Sequence, residues 1–157
     1  KGLEHRVGGL EKDQETGSVS YDPENHHQMV KIRAAKVDKI ADYIPLQELE
    51  SGSENSKLLV VGWGSTFGAI KTAVRDLASE GIDVAHTQIK YIQPMPRNLG
   101  QILSNYDKIL IPEMNNGQLV KLIRDRYLVD AQPLNKIKGM PFEAQEIKSA
   151  IFNMLNL

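Results

Sequence analysis

The sequence predicts an α/β fold of three layers, with helices on both faces of a mostly parallel sheet. Two observations carry this. Short apolar runs such as Leu58-Leu59-Val60-Val61 and Lys108-Ile109-Leu110-Ile111 have the length and composition of strands covered on both sides. Segments with apolar residues every three or four positions separate such runs, and strand alternates with helix from residue 57 onward.

Residues 1–22 are rich in glycine, charge and turn formers, as in Val7-Gly8-Gly9-Leu10 and Thr16-Gly17-Ser18-Val19-Ser20. They predict an irregular lead-in. Asp22-Pro23 then opens a helix, because Asp is a good N-cap and Pro fits the first helical position. Val30, Ala34, Val37, Ala41 and Ile44 lay an apolar stripe along it to about Tyr43, and Pro45 ends it. Residues 1–44 thus read as lead-in plus linker helix, and residues 45–157 as the α/β domain.

Within that domain, residues 46–49 are a strand candidate and residues 51–56 a loop. The run 58–61 is a core strand. A helix follows from Phe67, with Ile70, Ala73, Val74 and Leu77 on one side and Gly81 as its stop. A strand over 84–92 is broken by Pro94-Met95-Pro96, and a helix runs from about Asn98 to Asn105. The strand at 108–111 leads through the loop 112–117 into a helix over 118–128. A last strand is expected at 134–137, and Pro141 opens a final helix with Ile147 and Ile151 facing inward.

Composition removes several classes of function. The 157 residues are 41% hydrophobic and 25% charged, with net charge -1 and no cysteine. Without cysteine there is no disulfide framework, thiol nucleophile or thiolate metal site. No basic stripe points to nucleic acid, and no run approaches the roughly 20 apolar residues that span a bilayer. The opening Lys1-Gly2-Leu3-Glu4-His5-Arg6 has no signal-peptide pattern and no initiator methionine. The sequence therefore reads as a piece of a longer, cytoplasmic chain.

Two turns are candidates for chemistry. Gly62-Trp63-Gly64-Ser65-Thr66-Phe67-Gly68 sits where a strand meets a helix, and Gly62, Gly64, Ser65 and Thr66 are candidates for an anion site there. The spacing is Gly-x-Gly-x-x-x-Gly, one residue longer than the dinucleotide fingerprint, and the next strand ends in Lys90-Tyr91-Ile92 without the expected acid. A tight turn with Ser65 as N-cap explains the same residues. Glu113, Asn115 and Asn116 form the second candidate, for a polar group or a subunit contact; turn-making and helix capping are the plain alternative. Trp63 is the sole tryptophan and a candidate for an interface. His26-His27 diverge on a helix, and His5 and His86 stand alone, so no metal pair is expected.

Several segments together resemble the alpha subunit of 2-oxoacid:ferredoxin oxidoreductases. They are Gly2-Leu3-Glu4-His5, Ser20-Tyr21-Asp22-Pro23-Glu24-Asn25-His26, Met29-Val30, Arg33, residues 60–68, Tyr91-Ile92-Gln93-Pro94-Met95-Pro96, and Pro112-Glu113-Met114-Asn115-Asn116-Gly117-Gln118-Leu119. The likeness is to the 2-oxoglutarate-using branch. It implies a transketolase C-terminal-like domain with a five-stranded sheet whose first strand, residues 46–49, is antiparallel. It also implies an enzyme that makes acyl-CoA and CO2 from a 2-oxoacid, using thiamine diphosphate, Mg2+, an iron–sulfur cluster and coenzyme A. The implied partners are an upstream pyrimidine-type domain, a beta subunit and ferredoxin. No catalytic residue transfers to this chain, which is expected to bind none of those cofactors itself. A stand-alone phosphate- or nucleotide-binding module is the competing expectation.

Overall fold

The computed structural model describes Gly2, Glu4 and residues 7–157. Leu3 and His5 of the first resemblance segment lie outside the described residues. The chain divides into two compact units, Lys1–Ile44 and Pro45–Leu157.

In the first unit, a bridge between Lys12 and Val19 closes a small hairpin. Its turn is set by Asp13, whose Oδ1 accepts from the Thr16 amide at 2.8 Å and the Thr16 hydroxyl at 3.0 Å. Helix α1 covers Pro23–Lys39, with Pro23 in its first turn and Asp22 accepting from the Asn25 amide at 2.8 Å. The helix is shorter than the apolar stripe predicts: it ends at Lys39, and a 3-10 turn, Ile40–Asp42, follows. Approach to Pro45 disfavours continued α geometry. No residue of α1 is buried, and the stripe residues Val30 and Val37 are exposed.

A charged clasp ties hairpin to helix. The Glu11 carboxylate meets Arg33 Nη1 at 2.9 Å and His26 Nδ1 at 2.6 Å. Asn25 Nδ2 also donates to the Lys12 carbonyl at 3.0 Å. The segment Asp22-Pro23-Glu24-Asn25-His26 with Arg33 is therefore a local architectural motif.

In the second unit the elements are β1 (Leu49–Ser51), β2 (Leu59–Trp63), α2 (Phe67–Ser79), β3 (Ala85–Ile89), α3 (Leu99–Ser104), β4 (Ile109–Glu113), α4 (Gln118–Tyr127), β5 (Ala131–Asn135) and α5 (Ala144–Leu155). The five strands lie in the order β1-β3-β2-β4-β5. β1 pairs antiparallel with β3, and the remaining pairs are parallel. The expected layered α/β fold with an antiparallel first strand is present.

Alternation along the strands builds two cores. Leu59, Val61, Ile109 and Ile111 face the side that holds Leu99, Leu103, Leu119 and Ile123 of α3 and α4. Leu58, Val60 and Leu110 face the side that holds Ile70, Leu77, Ile147 and Ile151 of α2 and α5. Fully burying one such side chain contributes about 1.5–3 kcal/mol, so both faces of β2 and β4 must be covered.

Element edges differ from the sequence expectation by about three residues in four places, the first being β3, which ends at Ile89 and not at residue 92. β1 begins at Leu49, not at residue 46, because residues 46–48 are held by side chains instead of a ladder. The Gln47 amide donates to Asn98 Oδ1 and its carbonyl accepts from Asn98 Nδ2, both at 2.8 Å. β5 starts at Ala131, ahead of its apolar residues, because it follows β4 in parallel register from Ile109↔Ala131. α5 starts at Ala144, since Glu146 Oε2 reaches back to the Glu143 amide at 2.8 Å and fixes the first turn there.

The clasp carries a pH prediction. Arg33 first, then His26, hold Glu11 down from its usual 4.5 to about 2. A depressed carboxylate pKa stabilises the folded form above the unfolded value and loses that effect as pH falls through the folded one. The hairpin should therefore detach from α1 between pH 4.5 and about 2. Amide shifts of Lys12 and Val19 should follow that transition and should already sit at the acid limit at pH 7 in Glu11→Gln.

Candidate functional site

In this strand order the chain leaves β2 toward β3 on one side, then returns to β4 on the other. The switch of direction opens a crevice at the carboxyl ends of β2 and β4, where doubly wound sheets place their sites. The two loops singled out from sequence meet there. The first is the 3-10 turn Gly64–Thr66 after β2, and the second is residues 114–117 after β4. Ser65 Oγ lies 3.6 Å from Met114 Sδ and bridges them.

The β4 loop is built by Glu113 and Asn115. Gly117 occupies the N-cap of α4 and has no side chain to offer. Its neighbours supply the missing acceptors. Asn115 Oδ1 takes the Gln118 amide at 2.9 Å, Glu113 Oε2 the Leu119 amide at 2.8 Å, and Glu113 Oε1 the Val120 amide at 2.9 Å. The first-turn donors of α4 are thereby satisfied from outside the helix. The helix dipole favours the negative charge at that end. Glu113 is 0% exposed. The Glu113 carboxylate is thus bonded inside the domain. Asn115 is half-buried with its oxygen engaged, and Asn116 is exposed on the loop.

The β2 turn is similarly self-contained. Thr66 Oγ1 accepts from the Trp63 amide at 3.2 Å and donates to the Trp63 carbonyl at 2.9 Å. Thr66, not Ser65, takes the N-cap position of α2, and it makes no side-chain capping bond. Gly62 is buried in β2, and Gly64 and Ser65 are exposed at the tip. Both hydroxyls of the proposed anion site are therefore engaged within the chain, as a tight strand-to-helix turn requires.

Beside the turn lies a cleft of about 710 Å³, with Trp63 in its wall. Trp63, Phe67, Ile89 and Ile92 form an apolar wall, with Glu50 and Lys90 among its charged residues. No signal in the sequence joins Glu50 to Lys90; the fold places both on the lining of this cleft. The cleft holds no serine, cysteine or histidine nucleophile among its lining residues. Among the described residues no group of three or more His, Cys, Asp or Glu is placed to hold a metal ion.

Sheet order, the antiparallel edge strand and the loops at the switch point define a domain of the transketolase C-terminal class. A split-gene transketolase, an inactive beta4 tetramer, shares this fold at 15% identity and TM-score 0.53 over 71% of this chain and 42% of its own. Residues 56–150 match the pyruvate:ferredoxin oxidoreductase core domain II, and the chain belongs to that family. It is 45% identical, over 93% of its length, to 2-oxoglutarate oxidoreductase subunit KorA of Mycobacterium tuberculosis, and spans 22% of that protein. It is 29% identical, over 96% of its length, to 2-oxoglutarate synthase subunit KorA of Methanocaldococcus jannaschii, and spans 41% of it. A solved 2-oxoglutarate:ferredoxin oxidoreductase from Magnetococcus marinus, with 2-oxoglutarate, coenzyme A and succinyl-CoA bound, superposes at TM-score 0.87 and 30% identity. That match covers 96% of this chain and 26% of that one. No helix among the described residues is long and apolar enough to cross a membrane.

Glu113→Gln should destabilise the domain. The amide keeps one acceptor and turns an N–H against a buried backbone N–H. Charge-assisted hydrogen bonds and an unmet buried donor set the loss at about 2–4 kcal/mol. Urea unfolding followed by circular dichroism measures it, and a loss below about 0.5 kcal/mol, the scale of an ordinary surface change, contradicts the capping role.

Proposed function

We propose that the chain is the structural and assembly domain of the alpha subunit of a 2-oxoglutarate:ferredoxin oxidoreductase. The whole enzyme would convert a 2-oxoacid, here 2-oxoglutarate, and coenzyme A into acyl-CoA and CO2, with electrons passed to ferredoxin. One observation carries this most directly: 45% identity to a 2-oxoglutarate oxidoreductase subunit across 93% of the chain. The match to the ligand-bound Magnetococcus marinus enzyme supports the same substrate class. A cytoplasmic location goes with this proposal.

The described residues offer no cluster of acidic or imidazole ligands for Mg2+ and no thiolate for an iron–sulfur cluster. Thiamine diphosphate is held through Mg2+, and no described cluster of carboxylates or histidines is placed for a metal. Iron–sulfur clusters need thiolates, and the chain has no cysteine. No catalytic step is assigned to this chain. Its part is to brace a centre supplied by an upstream pyrimidine-type domain and a beta subunit. Misplacing reacting groups by about 1 Å costs on the order of a hundredfold in rate, so bracing has large catalytic consequences.

What supports bracing is the distribution of polarity. The Glu113 carboxylate, Asn115 Oδ1 and the Ser65 and Thr66 hydroxyls are engaged within the domain. The remaining surface at the site is an apolar wall around Trp63 with a charge of each sign, a composition suited to packing against protein.

The isolated chain should show no 2-oxoglutarate-dependent dye reduction when thiamine diphosphate, Mg2+ and coenzyme A are added. Turnover by the chain alone overturns the assignment. In the complete enzyme, Trp63→Ala should lower the yield of assembled complex on size exclusion while leaving the circular dichroism of the isolated chain unchanged.

A further inference from the structure

Every residue of β3 is buried, yet two of them, His86 and Gln88, carry polar side chains toward α2. Gln88 is in register with Gly62 on the neighbouring β2. A methyl group at Gly62 would collide with the Gln88 amide oxygen and approach Ile70 Cδ1 to 2.7 Å. Gly62 is glycine because the Gln88 side chain crosses β2 at that point. Beyond the crossing, Gln88 Nε2 donates to the carbonyl of Gly64 at 3.2 Å. Gly64 has a φ of 56°, in the left-handed region.

The other end of this arrangement is open. Gln88 Oε1 and both ring nitrogens of His86 are buried without a hydrogen-bond partner. His86 is 0% exposed and packs against the Phe67 ring at 5.7 Å between centroids. Adjacent polar groups are rarely left unmet inside a fold. The Gln88 carboxamide lies beside the imidazole, although neither ring nitrogen reaches bonding geometry with it. A small ring rotation would let a neutral imidazole give its single N–H to Gln88 Oε1, which orients Nε2 toward Gly64.

We propose that Gln88 is the positioning residue of the β2 turn, holding Gly64 in its left-handed conformation across Gly62, and that the charge on His86 controls that hold. Gly-x-Gly here is the track for a side chain, not a cradle for phosphate. A protonated ring would offer two N–H groups and a charge to a site with one acceptor. Lys71 from α2 works against protonation and Glu50 from β1 favours it. The β2 neighbours, Val60 and Gly62, carry no titratable group, and Phe67 is neutral. Burial pushes the His86 pKa below its usual 6.5, with Gln88 opposing. The ring is then neutral in the folded protein at pH 7. Below pH 6.5 the unfolded chain takes up the proton first and global stability falls, while the hold itself is lost as pH falls through the folded His86 value.

Amide hydrogen exchange and nitrogen-15 spectra of the 157-residue chain test this. In Gln88→Met, which keeps the volume, exchange at Gly64, Ser65 and Thr66 should rise about tenfold, the scale of one hydrogen bond. Exchange at residues 109–111 of β4 should stay unchanged. In the unmodified chain the Gly64 and Ser65 amide shifts should titrate with the same midpoint as the His86 imidazole. That titration should vanish in His86→Leu, and in Gln88→Met the ring should titrate without moving the turn. A uniform rise across the sheet, no rise at the turn, or turn shifts that ignore His86 each overturn the proposal. These readouts are independent of enzyme activity, so they separate from the assignment to an oxidoreductase.

Discussion

The second unit turns on one buried carboxylate. Glu113 is the last residue of β4 and its two oxygens hold the first turn of α4. A strand end and a helix start are thereby fixed in one contact, with the charge set against the positive end of the helix. The loop between them is left only one short path, and that path carries Met114 to Ser65 at the end of β2. The geometry of the crevice follows from this. The sheet centre, the α4 direction and the spacing of the two loops are set together, so the surface at the carboxyl edge is a property of the core.

The same reasoning explains what the sequence made legible. Continuous apolar runs in β2 and β4 can only be strands covered twice, and their periods fixed the layers and the mostly parallel sheet. The antiparallel strand was harder, since residues 46–51 alternate poorly and half the restraint comes from Asn98 and Thr87, about 40 to 50 residues away. The final strand was misplaced because β5 has Pro133 and Gln132 in its middle, a pattern with no apolar run to read. As an edge strand it has one unpaired side, where a proline costs no ladder hydrogen bond.

For the site, the sequence located both loops but not how their polar groups are used. A Glu after an apolar strand looks the same whether it faces a ligand or a helix terminus. Only the helix that follows, with a glycine at its N-cap, decides that the carboxylate points inward. Gln88 and His86 were legible in principle, because two polar residues on one face of a doubly covered strand are an anomaly. At the cleft the sequence pointed only to Trp63, because Glu50 and Lys90 lie 40 residues apart and meet its lining only in the fold.

The division of polar and apolar groups at the carboxyl edge bears on what kind of part this domain plays. A domain that bound its own phosphate or coenzyme there would leave amides and hydroxyls free to face it. Here Thr66 turns back on Trp63, Ser65 spans to Met114, and the α4 amides are taken by Glu113 and Asn115. What remains partly outward is the Trp63 indole with the Phe67 ring and Ile92, above a buried Ile89. Leaving such a surface in water is unfavourable by about 25 cal/mol for each Å² of apolar area, which another protein surface would recover on contact. The α4 side of this edge thus meets its backbone donors internally, while the aromatic wall beside it is the part whose free energy favours being covered.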